Sequence, residues 1–307
     1  MPINIPDSLP ACAVLESENI FVMTACRALQ QHIRPLEIGI LNLMPTKITT
    51  ETQLLRCLSN TPLQIQIDLI QTRTYSSKHT PKDHLLAFYK TFDEIKDKKY
   101  DGFIITGAPV ELMNFDDVEY WDELCEIMEW TKTNVHSTYH ICWGALAGLY
   151  YHYGIPNYPL PEKISGVFEH RLVVKNDNLF RGFDDVFHVP HSRHSAVRLE
   201  DVEANEDLRV MAVSDEAGLY VAGDQYGHQF FVMGHSEYDA QTLGDEYYRD
   251  LTKKMNPIVP KHYFVDDDPA KEPIVNWRSH AQLIYTNWLN YYVYQSTPYE
   301  QTTENKK

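Results

Sequence analysis

A cysteine, a histidine and a glutamate occur in a pattern that suits covalent catalysis. Cys142 stands where an extended apolar segment ends and a helical one begins, with the small residues Gly144 and Ala145 behind it. Such a strand-to-helix turn presents a nucleophile, and the free N–H groups at the start of the helix stabilise a thiolate. Because His140 replaces the first glycine of the general G-x-C-x-G pattern, this feature alone fits a packed core cysteine equally well.

His235 follows the apolar segment QFFVM, and Glu237 comes two residues later. A thiol nucleophile needs a general base, and that base needs a third group that orients its ring and stabilises the imidazolium. A histidine and a glutamate at this spacing are usually surface or capping residues, so the pair gains weight only beside Cys142. The sequence predicts Cys142 as nucleophile, His235 as base and Glu237 as its supporting carboxylate.

The elements that must position these residues alternate between strands and helices. Strand signals occur at 37–43, 63–70, 100–105 and 134–141, and helix signals at 51–59, 83–96, 116–132 and 145–153. Thr50 and Gln53 have the spacing of a capping box for the first helix. This alternation predicts βαβ units, and hence an α/β fold with a doubly wound, mostly parallel sheet and helices on both faces.

From 166 to 233 the pattern changes to short strands, which extend the sheet or add a β-rich layer. Helices are predicted around 236–254 and 274–294, followed by a polar tail. We therefore divide the chain into an N-terminal extension at 1–35, the catalytic α/β domain at 36–295 and a tail at 296–307 that we expect to be disordered.

Composition excludes several classes of protein. The 307 residues are 43% hydrophobic and 23% charged, which is ordinary for a globular chain, and a net charge of −16 argues against a nucleic-acid surface. The apolar runs are too short to cross a membrane, and the first residues do not form a secretory signal, so we expect a cytoplasmic protein. Five cysteines without CxxC spacing predict free thiols: Cys12, Cys26, Cys57, Cys125 and Cys142.

A metal site was the alternative suggested by the histidines. His188, His191 and His194 are closely spaced, with His170 and His235 elsewhere in the chain. Pro190 interrupts any helix that could place the three on one face, and no cysteine or paired carboxylates stand nearby to complete a zinc site. We therefore predict no metal.

The order of elements and the triad resemble the class I glutamine amidotransferase domains, and nearly the whole chain more closely resembles the homoserine O-acyltransferases of the MetA family. The matching segments are ENIFVM, LNLMP, TETQLLRCLSNTPLQ, TGAPVE, YHICWGA, PEKISGVFEH, VPHSRHS and GHSEYD. The resemblance implies an amidotransferase-like fold and a ping-pong transfer through an acyl-enzyme on Cys142. It also implies a homodimer that needs no bound cofactor and uses acyl-CoA as co-substrate.

The resemblance assigns further roles one residue at a time. Lys163 and Ser192 match positions that line the homoserine site, and Arg249 matches the residue that binds the carboxylate of that amino acid. An arginine suits this role because its planar fork makes two charge-assisted bonds to one carboxylate. Leu146 and Ser165 depart from the family pattern, in which glutamine and phenylalanine are common, so the shape of the pocket is left open.

Glu111 bears on the acyl donor. The matching family position tends to be glutamate in acetyl-transferring members and glycine in succinyl-transferring ones, and a glutamate there would repel the distal carboxylate of succinate. The resemblance therefore implies acetyl-CoA and L-homoserine as substrates. Lys47 is a candidate contact for the phosphates of CoA, although an exposed loop lysine is usually only solvated.

Three other functions stay open at this stage. A homoserine O-succinyltransferase would keep the triad and change the donor. A glutamine amidotransferase-type hydrolase would attack an amide with the same triad, but this chain shows no additional synthase domain. A binding module without activity would have the residues in the wrong geometry.

Overall fold

The described part of the chain forms one twelve-stranded sheet. The computed structural model describes residues 3–6, 8–18, 23–24, 34–75 and 79–297. Within these ranges the spatial order of the strands is β2-β1-β4-β3-β6-β7-β12-β11-β10-β8-β9, and β5 pairs with the outer side of β4. The strands are β1 (Ile3–Ile5), β2 (Met23–Thr24), β3 (Leu36–Leu41), β4 (Ile65–Ile70), β5 (Tyr89–Lys90), β6 (Tyr100–Ile105), β7 (Val135–Ile141), β8 (Tyr158–Leu172), β9 (Val186–Ala196), β10 (Leu208–Ser214), β11 (Gly218–Asp224) and β12 (Gln229–Val232).

The helices cover both faces of this sheet. They are α1 (Pro10–Ser17), α2 (Lys47–Leu58), α3 (Lys82–Phe88), α4 (Phe92–Ile95), α5 (Trp121–Asn134), α6 (Trp143–Tyr153), α7 (Leu199–Glu203), α8 (Thr242–Thr252) and α9 (Arg278–Asn287), which continues as a π-helix over Trp288–Tyr294. Short 3₁₀ turns occupy Phe115–Asp117, Asn178–Phe180 and Val265–Asp267.

The sheet has a parallel half and an antiparallel half. Pairing is parallel from β2 across to β12, whereas β12, β11, β10, β8 and β9 pair in antiparallel fashion. The predicted α/β fold is thus confirmed, and the short strands of the second half extend the sheet rather than form a separate layer. Since β6, β7 and β12 are parallel neighbours, their carboxyl ends meet at one edge.

Side chains alternate between two apolar cores, one on each face of the sheet. On β3, Ile40 enters the core that contains α2 and α9, while Leu41 enters the core that contains α5 and α6. Leu54 of α2 and Leu124 of α5 are both fully buried. Burying each such side chain contributes roughly 1.5–3 kcal/mol, which holds the helices against the sheet.

Helix α2, which the sequence pattern predicts over 51–59, begins earlier than predicted. It starts at Lys47 with Thr46 as N-cap, so Thr50 lies inside the first turn and the predicted capping box is wrong. The Gln53 side chain donates to Asp239 and Thr242 instead, at 3.2 and 3.0 Å. The Gln53 side chain therefore binds a segment that is distant in the sequence and does not cap the helix that contains it.

The predicted helix at 83–96 is also wrong as one element, because α3 and α4 are separated by β5. Tyr89 is extended since its strand pairs with β4, and its hydroxyl group donates to buried Glu51 at 2.8 Å. A true capping box occurs at Thr91 and Glu94, which starts α4. Three other helices begin later than predicted, at Trp121, Thr242 and Arg278.

The free thiols predicted from cysteine spacing are confirmed for Cys12, Cys57, Cys125 and Cys142. Cys26 and residues 298–307 of the predicted tail lie outside the described residues. Among the helices that the structure describes, none is both long and apolar enough to cross a membrane.

Candidate active site

Cys142 occupies a strained turn between β7 and α6. Its φ of 49° and ψ of −114° are unusual for a residue with a side chain, and such conformations cost of order 1–3 kcal/mol. The turn is held by a hydrogen bond from the Cys142 amide to the Val232 carbonyl at 2.7 Å. Gly144 is needed because a Cβ there would lie 2.6 Å from the Thr106 carbonyl oxygen. The structure thus places Cys142 in the predicted nucleophile elbow.

His235 and Glu237 stand beside Cys142, at the end of the neighbouring strand β12. His235 Nδ1 donates to Glu237 Oε1 at 2.7 Å, and His235 and Cys142 line the same cavity. Burial favours the neutral ring, but the negative charges of Cys142 and Glu237 outweigh it and hold the pKa of His235 well above its ordinary value. The arrangement suits a thiolate–imidazolium pair.

A cavity of about 330 Å³ opens directly over this pair. It is bordered by the loop after β3, the loop after β6, the outer strands β8 and β9, and α8. The residues around it are Met44, Pro45, Thr46, Gly107, Ala108, Pro109, Val110, Glu111, Leu112, Met113, Cys142, Lys163, Ser192, His194, His235, Tyr238, Glu246 and Arg249. All the predicted site residues line it except Glu237, which lies behind His235 and borders an adjoining cavity.

Glu246 is the charged centre of one wall, and the sequence reasoning missed it. Its carboxylate accepts hydrogen bonds from Lys163 Nζ at 3.1 Å, from the Ser192 hydroxyl group at 2.5 Å and from the Tyr238 hydroxyl group at 3.0 Å. Burial alone would raise its pKa, but Lys163, then Ser192 and the charge of His235, hold the pKa of Glu246 below the ordinary value. The carboxylate is half-buried, with 18% of the side chain exposed, and it contributes a negative charge to this wall of the cavity.

Arg249 lies one helical turn after Glu246, on the same face of α8. Its Nε donates to Asp250 at 2.8 Å, which fixes the guanidinium at the rim of the cavity. The three-residue spacing from Arg249 is the sequence signal that places Glu246 on the same face of this helix. The two side chains place opposite charges at one end of the cavity.

Glu111 lies on the loop after β6, on the opposite wall. One carboxylate oxygen accepts a hydrogen bond from the backbone N–H of His194. Burial raises the pKa of Glu111, against the opposing effects of that bond and of the charges of His194, His235 and Arg193. The carboxylate is therefore held in place near the nucleophile and keeps a proton more readily than an exposed glutamate does.

Comparison with known proteins settles the relationship of this chain. The family model described as homoserine O-succinyltransferase matches residues 2–299. The chain belongs to this family. It is 60% identical over 300 residues to the homoserine O-acetyltransferase of Acetivibrio thermocellus, covering 98% of each chain. It is also 60% identical to the homoserine O-acetyltransferase of Methanomethylophilus alvi, covering 98% of this chain and 97% of that one.

Among solved structures, the chain is similar to a glutamine amidotransferase from Thermotoga maritima. The TM-score is 0.52 at 14% identity, with 84% of this chain and 98% of that chain covered. At this identity the likeness concerns the fold. The resemblance to the homoserine O-acyltransferases and the amidotransferase-like fold are both confirmed.

Lys47, the candidate for a phosphate contact, does not fit that role in this family member. Its side chain is 5% exposed and donates inward to the Asn42 carbonyl oxygen. Burial lowers the pKa of Lys47 to about 8, although Glu51 opposes the shift. It is a buried residue at the start of α2 and not a solvated loop lysine.

The histidines of the metal alternative lie on strand β9 and not on a helix. His188 and His194 share one face of the strand, and His191 faces the other because side chains alternate along a strand. Pro190 was therefore the wrong reason for rejecting a common site. Among the described residues, no group of three or more histidines, cysteines, aspartates and glutamates is arranged to hold a metal ion.

Proposed function

We propose that this chain is a homoserine O-acetyltransferase, which transfers the acetyl group of acetyl-CoA to the hydroxyl group of L-homoserine. The observation that carries this proposal is the single cavity in which the Cys142–His235 pair, the Glu246–Arg249 pair and Glu111 meet. Acyl-enzyme chemistry needs the first pair, and an amino-acid acceptor needs the second. The 60% identity to homoserine O-acetyltransferases, over 98% of the chain, supports the same activity.

The first half-reaction acylates the enzyme. His235 holds the proton of the Cys142 thiol, and the thiolate attacks the carbonyl carbon of the acetyl thioester. As the tetrahedral intermediate collapses, the bond to the sulfur of CoA breaks, and His235 returns the proton to that sulfur. Acetyl-Cys142 and free CoA result. We assign the stabilisation of the oxyanion to the backbone N–H groups of Ala108 and Trp143, at the start of the β6 loop and of α6.

The second half-reaction transfers the acetyl group. His235 removes the proton from the side-chain hydroxyl group of homoserine, whose oxygen attacks the acetyl carbonyl carbon. The bond to the Cys142 sulfur then breaks, and the thiolate forms again with His235 as its imidazolium partner. Glu237 supports the ring in both half-reactions by accepting its Nδ1–H bond. No cofactor bound to the enzyme takes part in this cycle.

Homoserine is a zwitterion, and the α8 wall of the cavity complements it. We assign its carboxylate to Arg249 and its ammonium group to Glu246, with Lys163 and Ser192 holding that glutamate in place. The two charges of α8 then fix both ends of the amino-acid backbone. The side-chain hydroxyl group is directed toward Cys142, which lines the same cavity.

Glu111 favours acetyl over succinyl. Two carboxylates about 4 Å apart repel each other by on the order of 4 kcal/mol at an effective dielectric of 20. An ionised Glu111, held by His194, opposes the distal carboxylate of a succinyl group in the acyl pocket. Acetyl lacks that group. For this reason we propose acetyl-CoA as donor although the matching family model is described as homoserine O-succinyltransferase.

The wider setting follows from the same assignment. We propose that residues 36–295 form the catalytic domain, to whose sheet β1 and β2 of the N-terminal extension add, and that the enzyme works in the cytoplasm as a homodimer without nucleic-acid partners. Size-exclusion chromatography with light scattering tests the dimer, and a chain beginning at residue 36 tests the domain boundary.

Intact-protein mass spectrometry tests the proposed chemistry. Wild-type protein and Cys142→Ala are mixed with acetyl-CoA or succinyl-CoA, with and without homoserine. We expect an acetyl adduct on the wild type alone, discharged by homoserine. A succinyl adduct in its place would refute the role of Glu111, and turnover without any adduct would point to direct transfer. Folded protein with neither adduct nor turnover would favour the hydrolase alternative, which a glutaminase assay would test.

A further inference from the structure

Tyr238 lies between the catalytic base and the charged wall of the cavity, and the proposed reaction gives it no role. Its ring is stacked on the imidazole of His235, with 4.2 Å between the ring centroids and 15° between the ring planes. Its hydroxyl group donates to Oε1 of Glu246 at 3.0 Å. One side chain therefore contacts both the base and the carboxylate that we assign to the ammonium group of homoserine.

The stacked ring restricts the orientation of the imidazole. Glu237 accepts the Nδ1–H bond of His235 at 2.7 Å, which fixes one edge of the imidazole but leaves its plane free to tilt about that bond. The ring of Tyr238 opposes such tilting from one face, and an aromatic face also attracts the imidazolium cation. A Cβ at Gly107 would lie 3.7 Å from Cε1 of His235 and 3.3 Å from Cβ of Cys142. The base and the nucleophile thus border the same point, and a tilt of the imidazole would change their separation.

The hydroxyl group of Tyr238 orients the Glu246 carboxylate. Oε1 accepts from Tyr238, whereas Oε2 accepts from Lys163 Nζ and from the Ser192 hydroxyl group. Burial, followed by the charges of Glu246 and Glu237, raises the pKa of Tyr238 well above its ordinary value, so the hydroxyl group keeps its proton and donates. The two carboxylate oxygens are held by different residues, which fixes the plane of the carboxylate.

The backbone of Tyr238 is anchored independently of its side chain. Its N–H donates to the His235 carbonyl oxygen at 3.2 Å, and its carbonyl oxygen accepts from Nε1 of Trp277 at 3.1 Å. The next residue, Asp239, is paired with Arg56 at 2.6 Å. A substitution at Tyr238 leaves these bonds in place, so its effect on a rate reports on the ring or the hydroxyl group.

We propose that Tyr238 is a positioning residue with two separable roles: its ring keeps the His235 imidazole aligned in both half-reactions, and its hydroxyl group holds the Glu246 carboxylate for the acceptor amino acid. Because the ring and the hydroxyl group belong to one rigid group, Tyr238 also sets the distance between the base and the bound ammonium group. No bond to Tyr238 forms or breaks in the reaction. This inference rests on the proposed function, since it assumes that His235 is the base and that Glu246 binds homoserine.

Two substitutions separate the ring from the hydroxyl group. Rapid-quench mass spectrometry measures the formation of acetyl-Cys142 from acetyl-CoA and then its discharge by homoserine. Tyr238→Phe keeps the ring, so acetylation should keep its wild-type rate, while kcat/KM for discharge should fall about tenfold because the carboxylate loses one bond. Tyr238→Leu also removes the ring, so both half-reactions should slow by about tenfold or more. Tyr238→Met, which fills the space without a flat face, tests the same point if Tyr238→Leu does not fold.

A double variant shows whether the hydroxyl group acts through Glu246. In Glu246→Ala no carboxylate is left to orient, so the addition of Tyr238→Phe should slow discharge by less than about twofold. A further loss of about tenfold would show that the hydroxyl group acts elsewhere, and it would overturn this part of the proposal.

Tyr263→Phe is the matched control for a general loosening of the same segment. The Tyr263 hydroxyl group donates to the Ala240 carbonyl oxygen at 2.6 Å and accepts from the Gly244 N–H at 3.2 Å. Tyr263 is not among the described residues around the catalytic cavity. Both half-reactions should therefore keep their wild-type rates in Tyr263→Phe.

The outcomes separate this inference from the proposed function. If the wild type forms no acetyl-Cys142, or does not discharge it to homoserine, the proposed function fails. If the wild type completes both steps and folded Tyr238→Phe discharges at the wild-type rate, or Tyr263→Phe slows discharge equally, the role of the hydroxyl group is refuted. If folded Tyr238→Leu or Tyr238→Met is acetylated at the wild-type rate, the role of the ring is refuted. In these last two cases the proposed function stands.

Discussion

Replacing Glu246 by glutamine should separate the two half-reactions. The substitution keeps the size of the side chain and removes its charge, so the ammonium group of homoserine loses one charge-assisted hydrogen bond. Such a bond contributes about 1.5–3 kcal/mol, which corresponds to roughly a 10- to 150-fold fall in kcat/KM for homoserine. Lys163 also loses the carboxylate oxygen that lies 3.1 Å from its Nζ, which places the effect toward the upper end of that range.

Rapid-quench mass spectrometry measures each half-reaction of this variant. Formation of acetyl-Cys142 should keep its wild-type rate, because Glu246 lies on the α8 wall, where we place homoserine and not the acyl donor. Discharge by homoserine should slow, and Glu246→Asp, which keeps the charge on a shorter side chain, should recover part of the loss. Unchanged discharge by folded Glu246→Gln would refute the assignment, and an equal loss in both half-reactions would place Glu246 on the donor side.

Three further results are expected. Since burial raises the pKa of Glu111, its neutral fraction grows as the pH falls; the ratio of acetyl to succinyl adduct should decrease toward acidic pH in the wild type and stay constant in Glu111→Gln, and a constant wild-type ratio would contradict this account. Glu237→Gln should lower kcat by about a hundredfold or more in steady-state assays while circular dichroism stays unchanged, because the imidazolium loses its charged partner; near wild-type kcat would exclude that role. Gly144→Ala should lower the free energy of unfolding in urea by about 1–3 kcal/mol, since its new methyl group would lie 2.6 Å from a backbone oxygen. Gly107→Ala should lower this free energy by less, because the nearest atom to its methyl group is the Cys142 Cβ at 3.3 Å. Equal losses in the two variants would show that the turn at Cys142 accommodates the methyl group by relaxing.

Much of the fold could be predicted because the deciding signals are local. Segments such as LEIGIL and YDGFII are apolar in nearly every position, which predicts strands covered on both faces, and β3 and β6 confirm this. Where a residue pairs with a segment that is distant in the sequence, local spacing predicts its secondary structure wrongly. Tyr89 lies in a segment with a helical pattern, but it is extended because it pairs with β4 and its hydroxyl group donates to Glu51.

The same division applies to the candidate site. Cys142, His235 and Glu237 could be chosen from the sequence because a strand-to-helix turn and a two-residue spacing are local features, and family resemblance supplied Lys163 and Arg249 as separate positions. Their meeting in one cavity depends on parallel strand ends and on the packing of α8 against the sheet.

By itself, the sequence predicted the α/β class from the alternation of strand and helix signals, the strand-to-helix turn at Cys142, and His235 and Glu237 as its proposed partners. Only the tertiary structure decided the rest. Lys163 donates a hydrogen bond to Glu246, 83 positions away, and His191 is hydrogen-bonded to His170, 21 positions away. The side chain of Lys47 donates inward to the Asn42 carbonyl oxygen. Buried polar groups need partners, and in these cases it is the fold, rather than local spacing, that supplies them.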